Sequence, residues 1–404
     1  MKTPPISLLV VLVVAMTSGP LFGYGLSAAS AVVIEQVGIT PGQVGVLASV
    51  AFASAALGSW RLGRLADRIG ERAQLVLIHG AAITSLLLAA AATRYWVLVL
   101  AAVFSGLNLA MCNPTTNRII VHRVPPARRS IWIGTKQSGV QVAQLFSGLF
   151  FPAMTLWLGW TGAALGAAAV VVLALVQALG VLGRDLGEEP PGEPAGQPLG
   201  HVQAEERGVP ALVWVLAGIS LLSGAGMQAT NVYLPLFAIQ SLEYGLVVGG
   251  LAAAVTGIVG VTSRIFWSRR LQAGAQPATL LTIIFVGAVL SGLSLLGANL
   301  TGVRALLWIG AVLLGGSTLG VNVVVNATIL RVMPRGRVGA ATGITSMGMF
   351  MGFTAGPIMM GVVRDVSGDY WVGWAIVTGV YLAALVLTSA LRSRWGVPVA
   401  SSAP

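Results

Sequence analysis

Twelve long apolar stretches follow one another along the chain, near residues 6–34, 42–61, 73–92, 95–122, 129–153, 159–183, 210–239, 246–267, 277–298, 303–332, 337–364 and 371–392. A helix needs about 20 mostly apolar residues to cross ~30 Å of hydrocarbon, and clusters of Pro, Gly and Arg mark the ends of these stretches. In lipid the backbone must satisfy its own hydrogen bonds, so segments of this kind are helices. The rest of the composition leaves no soluble alternative. Only 9% of the residues are charged and 56% are hydrophobic, with a mean hydropathy of +0.87, too apolar to cover a soluble core with polar surface. Several stretches exceed a straight crossing, which predicts tilted spans or interfacial ends.

The net charge of +11 could suggest nucleic acid, but the basic residues are placed as a membrane protein places them. Arg61, Arg64, Arg68 and Arg72, then Arg123, Arg128 and Arg129, then Arg269 and Arg270, Arg331, Arg335 and Arg337, and finally Arg392 and Arg394 fall in alternate connectors. Arg94, Arg304 and Arg364 fall on the other side. The excess of cations on one side puts both termini in the cytoplasm and leaves no role for nucleic acid. Reading Met1 to Gly23 as a cleaved signal would leave an odd number of helices, so it is taken as the first span. Cys112, the single cysteine, lies in an apolar helix and forms no disulfide framework. The sequence has no nucleophile–base pair, phosphate-binding glycine loop or His/Cys cluster, so no enzyme, cofactor or metal is expected.

Residues 184–209 interrupt the apolar rhythm with Asp185, Glu188, Glu189, Glu193, Glu205 and Glu206 among several prolines. Such a segment cannot bury enough apolar area to fold, so it reads as a cytoplasmic linker between bundles at 1–183 and 210–404. An offset of 209 supports that division. It aligns Gly106 with Gly315, Asn113 with Asn322, Asn117 with Asn326, Pro125 with Pro334, Arg128 with Arg337, Gly134 with Gly343 and Gly139 with Gly348. The fourth and fifth helices therefore recur as the tenth and eleventh.

Residues 63–72 read Gly-Arg-Leu-Ala-Asp-Arg-Ile-Gly-Glu-Arg, a charged turn between the second and third apolar stretches. With Gly63, Leu65, Asp67, Arg68, Gly70 and Arg72 in order, it resembles the loop joining helices two and three in the major facilitator superfamily. The stretch from Asn113-Pro114 through Arg118 to Gly134-Thr-Lys-Gln-Ser-Gly139 is similar to a signature of bacterial members. The resemblance implies an all-α membrane protein of 12 transmembrane helices in two pseudo-symmetric six-helix bundles. It implies a secondary active transporter in the bacterial inner membrane, expected as a monomer, that works by alternating access with Gly63, Asp67, Arg68, Gly70 and Arg72 as the gating motif. The second half carries no good copy of the turn, since Arg264 to Leu271 has Arg264, Arg269 and Arg270 but no acid.

A substrate with a head and a tail is read where the two halves differ, and here they differ in cations. Arg118 aligns with Ala327, and Lys136 aligns with Thr345. Lys136 and Lys2 are the chain's two lysines, and Lys136 falls about seven residues into the fifth helix, or ~10 Å from its cytoplasmic end. An ammonium at that depth needs a counter-charge or a water-filled cavity. The acids fall in the turn, the linker or the outer loops, with Asp365 and Asp369 in the last of these, so the missing anion is expected to be the substrate. Lys136, Gln137, Gln141 and Gln144 project within about 140° of one another on a helix and predict one cavity-lining face. Arg118, Tyr24, Asn113, Asn117, Asn231 and Asn322 complete the candidate substrate-binding set, although the repeated Asn pairs also suit helix-to-helix bonding. Glu35, Glu243 and His79 are the candidate proton sites. The leading expectation is transport of a small, carboxylate-like organic anion. The alternative is efflux of larger amphipathic compounds or drugs.

Overall fold

The computed structural model describes residues 5–184, 210–333 and 338–395, and the linker expected at 184–209 falls almost wholly outside them. The described residues are almost entirely helical. Helix α1 runs from Ile6–Ser18 into Leu21–Ala28 and on to Ser30–Val37, and α2 is Pro41–Arg68. Glu71–Ala90 is α3 and Tyr95–Arg123 is α4. Pro126–Gln137 and the first part of Gly139–Arg184 form α5, and the remainder of that run forms α6. In the second half, α7 is Ala211–Gln240, α8 Leu246–Gln272 and α9 Pro277–Thr301. Ala305–Ser317 and Val321–Val332, joined by the tight turn Thr318–Gly320, make α10. Val338–Ser367 is α11 and Trp371–Trp395 is α12.

Ten of these runs are long and apolar enough to span a membrane as they stand, and the bent first helix supplies another. One of the ten, Ile131–Gly183, extends over 53 residues and holds two spans. It turns at Gly159, whose φ of 67° and ψ of 179° belong to no helix and come easily only to glycine. The twelve expected spans are therefore all present.

Local chemistry explains the remaining breaks. Helix α1 bends by 54° at Gly19-Pro20, where proline lacks the N–H that would continue the ladder. Helix α2 starts cleanly because Thr40 accepts a hydrogen bond from the Gln43 N–H while the Gln43 side chain caps Thr40, with Pro41 in the first turn. Large apolar side chains such as Leu173, Val176, Ile283 and Val386 stay exposed on the outside, as lipid contact requires.

The glycines that repeat at the offset of 209 make equivalent contacts. A Cβ on Gly106 would strike Ala51 of α2, and one on Gly315 would strike Thr256 of α8. A Cβ on Gly139 would meet the Val13 carbonyl of α1, and one on Gly348 would meet the Ala217 carbonyl of α7. The two seams between the halves correspond in the same way. Helix α5 meets α8 where Gly148 lies on Gly250, and α2 meets α11 where Gly45 lies on Pro357.

Candidate functional site

Between the halves lies a small cavity, with about 30 Å³ open to the centre of a water-sized sphere, lined by Tyr24 and Ser27 of α1, Phe52 of α2, Leu109 of α4, and Gln228 and Val232 of α7. It is closed toward the end of the molecule away from the 63–72 turn. There Thr40 Oγ1 donates to Asp365 Oδ2 at 2.6 Å and the Gly42 N–H donates to Asp365 Oδ1 at 3.0 Å. The Tyr233 hydroxyl donates to the Pro41 carbonyl at 2.7 Å, and Ser27 Oγ donates to the Val232 carbonyl, also at 2.7 Å. Asp365 thus lies in α11 and grips the start of α2 in the opposite half, so its placement in an outer loop is corrected. The carboxylate sits at the N-terminus of α2, where the helix dipole favours negative charge.

Toward the turn the walls open. On α4 the positions 105, 109, 113 and 117 share one face at four-residue spacing, and exposure rises along it from buried Ser105 through half-buried Leu109 to exposed Asn113 and Asn117. On α10 the same happens from buried Thr318 through half-buried Asn322 to exposed Asn326. The Asn pairs therefore line a cleft, and among the described residues none of these four amides hydrogen-bonds an element of the other half. A smaller recess beside Asn322 is bordered by Ser223, Met227 and Phe353.

Lys136 lies at the wall of this cleft and is itself fully buried. Its Nζ donates to Thr116 Oγ1 at 2.6 Å and to Asn113 Oδ1 at 3.1 Å, with Met16 Sδ at 4.0 Å. Thr116 passes its own proton to the Cys112 carbonyl at 2.6 Å. All of these partners are neutral, and no carboxylate among the described residues pairs with the ammonium. Gln137 Nε2 donates to the same Asn113 Oδ1 at 2.8 Å.

The single polar face expected on α5 is divided by a pinch at Ser138. The Ser138 N–H turns to Thr135 O and the Gln141 N–H to Ser138 O, both three residues back, so the helix tightens locally. Lys136 and Gln137 consequently face α4, whereas Gln141 and Gln144 pack against Gly257 and Gly260 of α8. Gln141 is fully buried and neither of its amide atoms has a partner. Gln144 Nε2 donates to Asn231 Oδ1 across the halves at 3.2 Å, while the Asn231 Nδ2 is unpartnered.

Arg118 points elsewhere. Its Nη1 donates to the Ile69 carbonyl at 3.1 Å, which ties α4 to the end of the 63–72 turn. Arg123 Nε donates to the buried carboxylate of Glu71 at 2.6 Å, and His122 Nδ1 lies 3.5 Å from the same group. Gly63, Arg68, Gly70 and Arg72 lie around this anchored turn, and the side chain of Asp67 falls outside the described part of the structure. Glu35 and Glu243 are exposed near the closed end, and Glu243 takes a φ of 53°. His79 is buried within α3, with Nδ1 2.8 Å from the Leu75 carbonyl. None of these three is among the residues lining the cavity.

One cation went unread as a site residue. Arg264 of α8 donates from Nη1 to the Gln137 carbonyl and from Nε to the Leu319 carbonyl, each at 3.3 Å, and lies within electrostatic range of Tyr24. Its signal in the sequence was its depth, inside an apolar run and set apart from the Arg269-Arg270 pair.

Three comparisons agree with this architecture. The bacterial homologue of the human lysosomal transporter Spinster superposes with a TM-score of 0.71 at 18% identity, covering 96% of each chain. The nucleoside transporter NupG superposes with a TM-score of 0.76 at 15% identity, covering 95% of this chain and 99% of the other. In sequence, a stretch of 148 residues is 30% identical to the gentisate transporter of Corynebacterium glutamicum. That match takes in 35% of this chain and spans a third of the relative's length. The profile of the Major Facilitator Superfamily matches residues 8–357, so the chain belongs to that superfamily and is a multi-pass membrane transporter.

Proposed function

We propose that the protein moves a small organic anion, a carboxylate, across the bacterial inner membrane, with its termini and the 63–72 turn on the cytoplasmic side. Lys136 carries this reading. Among the described residues its buried ammonium bonds Thr116 and Asn113 and touches Met16, all neutral, and a buried cation is costly without a counter-charge. A carboxylate entering the cleft between Asn113 and Asn117 would supply that charge, and Tyr24 and Gln228 would orient its other end. The similarity to a gentisate transporter adds modest support for an aromatic carboxylate.

The test is a thermal-shift titration of the purified protein with gentisate, benzoate, succinate, neutral sugars and cationic dyes, followed by uptake into proteoliposomes. A ligand that binds the folded state raises stability with its saturation. Carboxylates are expected to stabilise the wild type and to lose that effect in Lys136→Ala. Stabilisation by dyes that persists in Lys136→Ala would instead favour efflux of amphipathic compounds.

A further inference from the structure

We propose that Arg264 is a second, switchable anchor for the substrate anion, one that gives up a bond linking the two halves when the anion arrives. The inference rests on the anion reading given above and adds to it a residue, a direction of motion and a constraint on the ligand.

Arg264 lies inside the span Leu246–Gln272, where a guanidinium is expensive and needs strong partners. It has weak ones. Both of its hydrogen bonds go to carbonyls at 3.3 Å, beyond the usual 2.7–3.2 Å for an N–H donor, whereas a carboxylate draws such a donor to about 2.7–2.9 Å. The Gln137 carbonyl is open to it because of the pinch at Ser138. The Gln141 N–H, which would ordinarily close on Gln137, turns to the Ser138 carbonyl at 3.0 Å. Arg264 occupies the vacated acceptor and so joins α8 of the second half to α5 of the first.

The same short segment of α5 holds the fully buried Lys136, whereas Arg264 is half-buried. Lys136 Nζ and Gln137 Nε2 share the Asn113 Oδ1, while Arg264 approaches Gln137 through its carbonyl. The two cations thus flank one short segment of α5, Lys136 from the α4 side and Arg264 from α8, and Arg264 lies within electrostatic range of Tyr24, which lines the cavity. Arginine presents a planar fork and lysine a compact point charge. The ligand that satisfies both carries a carboxylate whose charge serves the two cations together, or a second carboxylate so that each has its own. On binding it, Arg264 exchanges two long carbonyl bonds for charge-assisted ones and releases Gln137. The link between the halves then passes through the substrate.

The experiment uses the full-length protein in detergent and in proteoliposomes, with gentisate, succinate and the methyl ester of gentisate as probes, on wild type, Arg264→Gln, Arg264→Lys and Lys136→Gln. Arg264→Gln is expected to weaken carboxylate binding roughly 10- to 100-fold and to abolish the preference for gentisate over its ester. Arg264→Lys keeps the charge without the fork and is expected to fall between, which also guards against a folding defect in the Gln variant. Wild-type carboxylate affinity in both Arg264 variants, with loss in Lys136→Gln, would overturn the role of Arg264 and leave the anion reading standing. Absence of saturable carboxylate binding by the wild type would overturn both.

Discussion

Lys136 combines full burial, a formal charge and neutral partners, and each property predicts something separate. Lys136→Gln removes the charge and keeps a donor for Thr116 Oγ1 and Asn113 Oδ1. Its ligand-free melting temperature should equal or exceed that of the wild type, because an unpaired buried charge is lost, while stabilisation by carboxylates disappears. A marked drop in the ligand-free melting temperature would show that the ammonium is a structural tie. Gln141 is the neutral counterpart, fully buried with both amide atoms unpartnered. An unsatisfied buried polar group costs about 1–3 kcal/mol, so Gln141→Met should raise ligand-free stability. If transport falls at the same time, Gln141 contacts the cargo. At this scale the sequence was legible where a residue type is rare, as for the lone internal lysine. It misled where linear distance stood in for space. Arg264 read as part of a basic connector, and the divergence of Gln141 from Lys136 depends on one tightened turn that no periodicity announces.

At the level of helices, the offset of 209 marked the repeated glycines but not their partners, because a glycine's reason for being small is the backbone it touches. The structure supplies that reason for the Gly352 and Gly356 pair on α11, where an added Cβ would run into backbone of α7 at Leu221 and Ala225. Backbone cannot move aside as a flexible side chain can. Gly356→Val should therefore destabilise the second bundle by about 1–3 kcal/mol, read as a lower melting temperature and poorer yield. Gly80 in α3 has open space where a Cβ would go, and Gly80→Ala should be neutral or slightly stabilising. Equal effects of the two substitutions would refute the close-packing account. The helices themselves were legible because lipid permits little else, and the exceptions are local. The 54° bend in α1 follows from Gly19-Pro20, whereas the pinch at Ser138 has no proline to announce it.

Across the whole molecule, the closed end depends on a few polar contacts between the halves, and Asp365 makes two of them. Asp365→Asn removes the charge that favours the start of α2, an interaction of about 0.3–1 kcal/mol, so the population open at that end should rise roughly 2- to 5-fold. A cysteine placed at cavity-lining Ala48, in a Cys112→Ser background, would report this as faster labelling by an impermeant thiol reagent from that side. Unchanged labelling would assign the closure to Tyr233 and the glycine seam instead. Fully buried Lys136 and half-buried Arg264 also give the empty protein an electrical character. Each elementary charge carried through a full membrane potential of 100 mV exchanges about 2.3 kcal/mol with the field. Lys136 and Arg264 sit on opposite halves, so when the halves rock the field acts on both bundles. With the 63–72 turn on the cytoplasmic side, as proposed, a negative cell interior would favour the unloaded carrier facing the cytoplasm. The proposed anionic cargo would cancel part of that force, so the voltage across the membrane would become a means of telling a loaded carrier from an empty one.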